Sequence, residues 1–225
     1  MKIVHLRGMW LSLAATVLVS GCATVQGPQA DSQNYQKAIQ DAAVIEKSEI
    51  VPLPTIASGK VRVVTWSKYP ESYPLGKPTA LKWGEVWVTR DNDVKSRCRN
   101  FLKNTVVSDT QKLLGLPANN AEKRSFITLE VDSSALFRPC ANPGLQDETC
   151  SPDFPKDVPQ SHAAWYAHQS SMSYQSASGF PWTRLGYTYN WKAGANEVGV
   201  AEFVIKKGAE VLPLNATETA AYCAP

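Results

Sequence analysis

Two histidines, His162 and His168, have the side chain best suited to proton transfer near neutral pH. Either could act as a general base if an acid such as Asp153 or Asp157 folds next to it. Because they stand six positions apart on one predicted helix, the two side chains are separated by about 240° of rotation around the helix axis. They would therefore lie on different faces and could not bind one metal ion together. The catalytic hypothesis is therefore a hydrolase that uses one histidine and one acid. The alternative is a structural histidine bonded to a neighbour.

A second group of candidates lies in residues 179–191, where aromatic side chains and an arginine are concentrated. Trp182 and Arg184 are of the types that most often anchor binding sites, because each offers a large rigid surface with a polar end. Arg138, which precedes a proline and a cysteine, could contact an anion or a carboxylate as Arg184 could. The alternative for both arginines is a structural salt bridge.

Sequence motifs of the familiar enzyme classes are absent. The chain contains no G-x-G-x-x-G, G-x-S-x-G, S-x-x-K or H-E-x-x-H. The acidic loop at 146–157 offers oxygen ligands, but it lacks the alternating ligand order of a calcium loop. No C-x-x-C or His/Cys pair has the spacing of zinc ligands. The sequence therefore predicts no metal and no cofactor, and it favours a binding function over catalysis.

The beginning of the chain has the pattern of a secretory signal peptide. Lys2 and Arg7 are positive, while residues 8–21 carry no charge and end in small side chains. The apolar run is shorter than the ~20 residues that a helix needs to cross a bilayer. We therefore expect residues 1–21 to be removed.

The four residues Val19-Ser20-Gly21-Cys22 resemble the lipobox of bacterial lipoproteins, and the resemblance covers residues 1–22 only. It implies cleavage before Cys22, acylation of that cysteine (palmitate included) and attachment to a membrane, because several acyl chains hold firmly where one does not. Ala23 in place of aspartate implies the outer membrane. We expect a domain facing the periplasm on a polar tether, residues 22–34. The alternative is an ordinary Cys22 after a conventionally cleaved signal.

The size and charge of the remaining chain limit its class. Without residues 1–21 about 200 residues remain, which fits a single globular domain at 35–225. Lys2 and Arg7 are two of the 23 basic residues, and there are 20 acidic ones, so the mature charges nearly balance. Nucleic acid is therefore not an expected partner, because no basic field would neutralise its phosphates.

Four cysteines remain beside Cys22, and an even number in an exported chain indicates two disulfides. Of the three possible connectivities, spacing favours Cys140 with Cys150, because a Pro-Gly turn lies between them. That pairing leaves Cys98 with Cys223.

The pattern of apolar residues predicts an α+β fold, with a mainly antiparallel sheet and helices packed on one face, stapled by the two disulfides. Helices are expected at 33–48, at 91–117 as one helix or two joined near residue 105, and at 161–172. Strands are expected at 60–66, 81–89, 125–131 and within 179–191, with a hairpin at 198–214 that turns near Lys207 and Gly208.

Together these features predict a non-enzymatic lipoprotein of the cell envelope. It would be held to the membrane by its lipid and would bind an envelope protein or a cell-wall ligand such as peptidoglycan. The second hypothesis is a periplasmic hydrolase of an envelope polymer or peptide, which would need His162 or His168 beside an acid.

Overall fold

The computed structural model describes residues 28–117, 123–175 and 178–224. The described residues form five helices, α1 (Pro28–Ala42), α2 (Asp91–Cys98), α3 (Val106–Leu113), α4 (Gln160–Ser173) and α5 (Thr219–Tyr222). They also form eight strands, β1 (Lys60–Ser67), β2 (Thr79–Ala80), β3 (Val86–Arg90), β4 (Ser125–Asp132), β5 (Leu136–Phe137), β6 (Tyr187–Tyr189), β7 (Val198–Ile205) and β8 (Glu210–Glu218). The fold is α+β, as predicted.

The predicted signal peptide and Cys22 lie outside the described residues. Within the residues that are described, no helix combines the length and the apolar character needed to cross a membrane.

All strands belong to one antiparallel sheet with the order β2-β8-β4-β1-β3-β7-β5, and β6 pairs with β7 as well. β1 and β4 form its longest regular ladder, from Lys60 opposite Asp132 to Ser67 opposite Ser125. β3 lies between β1 and β7. This central place agrees with its apolar residues on both faces, because such a strand is covered on both sides.

The predicted hairpin at 198–214 is wrong in its pairing. The turn is where the sequence placed it, since Gly208 has φ +81° and the Ala209 N–H donates to the Lys206 carbonyl. However, β4, β1 and β3 separate β7 from β8 in the sheet. In a flat sheet these two strands would lie about 19 Å apart. A short connection joins them because the sheet curves strongly enough to bring β7 and β8 towards each other, and Phe203 and Val211 of these two strands share one core cluster.

The two faces of the sheet are buried in different ways. Inside the folded sheet, alternate residues such as Val63, Ile127 and Phe203 form the main core, all of them fully buried. Outside it, the helices α2, α3 and α5 cover part of the opposite face, where Val94 and Leu113 pack in a second cluster. These three helices do not cover the rest of the outer face.

Both predicted disulfides are present. Cys98 at the end of α2 is bonded to Cys223, with 5.2 Å between the Cα atoms, and ties the end of the chain to that helix. Cys140 is bonded to Cys150 with a Cα separation of 6.0 Å and closes the long proline-rich loop.

Several elements differ from their predicted bounds. α1 begins at Pro28 and ends at Ala42, so residues 28–34 of the expected tether are helical. Its buried Ile39 packs in one cluster with Trp191, which holds the helix on the domain. The region 91–117 forms two helices, one of the two arrangements that the sequence left open.

Two strands are shorter than predicted because the backbone turns where the side-chain pattern continues. Arg184 and Gly186 have φ of +60° and +76°, outside the strand region, so the strand expected in 179–191 is reduced to β6. In the segment predicted as a strand at 81–89, the ladder begins at Val86, after Gly84 with φ +158°.

Candidate functional site

A cleft lies on the outer face of the sheet, between the end of α3 and the region of α4. It has two adjoining lobes of about 270 and 250 Å³. Five residues line both lobes and form the boundary between them: Trp87, Leu114, Leu116, Thr188 and Glu202. The cleft exists because helices cover the two sides of this sheet face and leave the middle open.

Aromatic rings form the walls of the cleft. Trp87 on β3 and Trp182 stand nearly perpendicular, at 89° with ring centroids 6.3 Å apart. Trp165 of α4 lies 6.0 Å from Trp87 and 5.8 Å from Trp182, so the three rings pack together. These two contacts of Trp182 are edge to face, and such contacts favour one arrangement of the rings over others.

Hydrogen bonds fix these indoles further. The Nε1–H of Trp182 donates to the carbonyl of Pro139 at 3.2 Å, and that of Trp165 donates to Glu85 at 2.7 Å. Trp182 in the wall and Trp165, which lines neither lobe but packs against Trp87 and Trp182, are therefore held in place before any ligand binds, and this lowers the entropy lost on binding.

The floor of the cleft is polar. Glu202 on β7 lies opposite Thr89 on β3, and both residues belong to the outer face. Thr188 is buried beside them and donates to the Leu113 carbonyl at 2.7 Å, while it accepts from the Val200 N–H at 3.0 Å. Its hydroxyl thus joins α3 to the sheet beneath the cleft.

Glu202 differs from Glu85 and Arg124, the other charged residues of the cleft, in the partners and the pKa of its side chain. What remains exposed of this side chain faces the cleft, and within the described part of the chain its carboxyl has no hydrogen bond or salt bridge. Burial raises the pKa of Glu202 from its ordinary value near 4.5 to about 8, because the charged form loses its hydration. At neutral pH the carboxyl is therefore mostly protonated and can both donate and accept a hydrogen bond.

The two lobes differ in charge. The first is also lined by Arg124 and Glu85. The guanidinium of Arg124 lies 5.3 Å from the ring of Trp66 and donates to the Trp66 carbonyl. Around the second lobe, the described lining includes Glu202 and no basic residue, and the aromatic side chains Trp87, Phe180, Trp182 and Tyr189 surround the acid.

Of the predicted binding residues, Trp182 lies in the wall of the second lobe and is buried. Arg184 lies elsewhere: its guanidinium donates to the carbonyls of Ala42 and Ala43 at 3.2 and 2.8 Å, where it satisfies the end of α1, and it covers the ring of Tyr174.

Arg138 is fully buried and donates to backbone carbonyls, the closest being that of Pro54 at 2.9 Å. It also contacts the face of the Phe203 ring, with 4.8 Å from guanidinium carbon to ring centroid. Burial lowers the pKa of Arg138 to about 10, the Asp147 charge acting in the opposite direction. Its contacts hold the disulfide-closed loop against the sheet, and neither arginine lines the cleft.

The two histidines are not brought together with an acid in the described chain. His162 is buried, its Nε2 lies 2.8 Å from the Cys140 carbonyl, and its ring stacks on Trp165. Burial lowers the pKa of His162, and the hydrogen bond to Cys140 opposes that shift. His168 is exposed on α4. These contacts of His162 are those expected of a structural histidine that is bonded to a neighbour.

An acidic group outside the cleft has oxygen atoms close enough to bind a cation. The carboxylates of Asp41, Glu49 and Glu197 lie within 4.8 Å of one another. Burial, followed by the neighbouring negative charges, raises the pKa of Glu197. The hydroxyl of Tyr189 donates to Asp41 at 2.7 Å, so part of this group is already satisfied by the protein.

Comparison with known proteins finds no matching family model, no matching curated protein and no matching solved structure. The function is therefore argued from the chemistry of the cleft.

Sequence reasoning missed Glu202 and Trp87. The signal for Glu202 was present, because it is the one charged residue in the apolar strand sequence "VGVAEFVI". A lone acid in a buried strand has to be neutralised or paired, and this makes it a candidate for a site.

Proposed function

We propose that the chain is an outer-membrane lipoprotein, anchored through Cys22, whose periplasmic domain binds peptidoglycan without catalysis. The observation that supports this proposal is the preformed aromatic cleft on the sheet face, with Glu202 at its floor. Flat rings offer a surface on which sugar rings stack, and a protonated carboxyl offers a polar contact beside them.

The shape of the cleft favours a cell-wall ligand over a folded protein partner. Protein interfaces of ordinary size bury about 800 Å² on each partner and are mostly flat. Concave sites with aromatic walls and few polar groups are typical of small ligands or of single groups of a polymer. Trp83 and Phe180 lie at the rim with 54% and 44% of their surface exposed, where a longer ligand would pass.

The test is sedimentation of the purified domain with peptidoglycan, with matched variants. Phe180→Ala removes an aromatic ring that lines the cleft, whereas Phe154→Ala removes one that is equally exposed, at 44%, and lines neither lobe. We expect Phe180→Ala to weaken binding by about fivefold or more, the size of one lost aromatic contact, and Phe154→Ala to change little. Equal losses, or no sedimentation of the wild type, would contradict the proposal.

Two further measurements test the other parts of the proposal. Cys22→Ser should abolish palmitate incorporation and release the protein from the membrane fraction, and an unchanged distribution would refute the anchor. Incubation with peptidoglycan should release no soluble fragments. Fragment release that Glu202→Gln abolishes would show that the cleft is catalytic instead.

A further inference from the structure

We propose that the second lobe binds an alkylammonium group, with Glu202 as its counter-ion and the indoles of Trp87 and Trp182 in its walls. This inference rests on the binding function proposed above and names the chemical class that this part of the cleft accepts. The source of the ammonium group would be a free amino group of the cell-wall peptides.

The charge of the second lobe favours a cation. Glu202 is the only acid, and there is no base, among the described residues that line it, and the other titratable group is Tyr189, whose hydroxyl is bonded to Asp41. Glu85 and Arg124 face the neighbouring lobe, where each has a protein partner. A half-buried acid without a counter-charge among the described residues that line the second lobe leaves this lobe complementary to a ligand cation.

The aromatic rings of the second lobe also suit a cation. Trp87 and Trp182 contact each other edge to face at 89°, and both indoles line the lobe together with Glu202. Cations are attracted to the faces of aromatic rings, most strongly to tryptophan, and aromatic cages are a common means of binding ammonium groups. The lobe of about 250 Å³ is small for a ligand site, which suits a single group at the end of a chain.

The proton on Glu202 makes the binding of a cation depend on pH. Burial raises the pKa of Glu202 to about 8, and no charged neighbour in the described chain contributes to the shift. Without ligand the carboxyl therefore carries a proton at neutral pH, and a bound ammonium ion would replace it. Binding then releases one proton, and the affinity rises about tenfold per pH unit below pH 8 and levels off above it. A neutral ligand that accepts a hydrogen bond from Glu202 would show the opposite dependence.

The experiment is a calorimetric titration of the domain with n-butylammonium at pH 6 and pH 7, and with n-pentanol as the uncharged ligand of similar shape. We expect n-butylammonium to bind about tenfold more tightly at pH 7, with release of one proton, and n-pentanol to bind more weakly at both values. Equal binding of the two ligands, or an affinity independent of pH, would overturn the inference.

Two variants separate the role of Glu202 from a general loss of charge. Glu202→Gln keeps the size of the side chain, and we expect it to weaken n-butylammonium binding at pH 7 by at least tenfold while binding of n-pentanol is unchanged. Glu210→Gln makes the same change at an exposed strand position that lines neither lobe and should behave as wild type. Equal affinities of these two variants for n-butylammonium would count against Glu202 as the counter-ion.

A last measurement tests the source of the ammonium group and keeps the two proposals distinguishable. Peptidoglycan whose amino groups have been acetylated should sediment less of the wild-type domain than untreated material. If acetylation changes nothing while Phe180→Ala still weakens sedimentation, the ammonium assignment is wrong and the binding function stands. If untreated peptidoglycan sediments no protein, the binding function itself fails.

Discussion

Replacement of Glu202 by glutamine should stabilise the protein, by an amount that grows with pH. The unfolded chain releases the Glu202 proton near pH 4.5, while the folded protein holds it up to about pH 8. Between these values the folded state binds more protons, so the free energy of unfolding falls as the pH rises. The two pKa values differ by about 3.5, and at 1.36 kcal/mol per unit the loss above pH 8 is at most about 5 kcal/mol.

The glutamine variant has no such proton to lose. Since a protonated carboxyl and an amide have similar size and polarity, the two proteins should be about equally stable near pH 4.5 and diverge above it. The assay is urea unfolding under oxidising conditions at several values from pH 5 to pH 9, with Glu210→Gln as control. Other acids with shifted pKa, such as Glu49 and Glu197, are present in both proteins and cancel in the difference. Parallel stability curves for wild type and Glu202→Gln would refute a buried, uncompensated acid.

Three further predictions concern stability. Gly186→Ala and Gly194→Ala place a methyl group at nearly equal φ of +76° and +74°, but only at Gly186 would it meet other atoms, with Cys150 Sγ at 2.7 Å. In urea unfolding we expect a loss of about 1 kcal/mol at Gly194 and about 3 kcal/mol or more at Gly186, and equal losses would disagree with the packing. Thr188→Val leaves the Leu113 carbonyl and the Val200 N–H without their partner and should lower the free energy of unfolding by about 2–4 kcal/mol, whereas Thr188→Ser should retain most of the stability. Equal stability of these two variants in thermal unfolding would argue against the two hydrogen bonds. Because burial lowers the pKa of His162, the unfolded state takes up the His162 proton at a higher pH than the folded state does, and the free energy of unfolding falls as the pH drops below about 6.5. His162→Gln should flatten this dependence in acid-unfolding curves. An unchanged slope would be contrary evidence.

Elements with a regular local pattern were predictable from the sequence. The strands at 60–66 and 125–131 and the helix at 161–172 appear within two residues of their expected bounds, because alternation or helical spacing is visible within one segment. The disulfide pairing was predictable for a different reason. A turn between Cys140 and Cys150 left a single pairing for the other two cysteines.

The partners of the strands and the composition of the cleft were not predictable in this way. The segment 198–214 has the local pattern of a hairpin, yet β7 pairs with β3 and β8 pairs with β4, two strands that lie far away in the chain. The cleft joins Trp87, Trp182 and Glu202 from three distant segments. Each residue alone fits a buried strand or a loop, and only the tertiary arrangement shows that they surround one space.

The bond between Cys98 and Cys223 closes a covalent ring across a sequence separation of 125 residues. Trp182 and Glu202 belong to this ring, while Trp87 lies on the arm that precedes it. A protease that cuts the backbone once inside the ring would leave both pieces attached to each other and to the segment that precedes Cys98. Such a nicked molecule would still migrate as a single band on a gel without reductant, and it would separate into two bands once the disulfide is reduced.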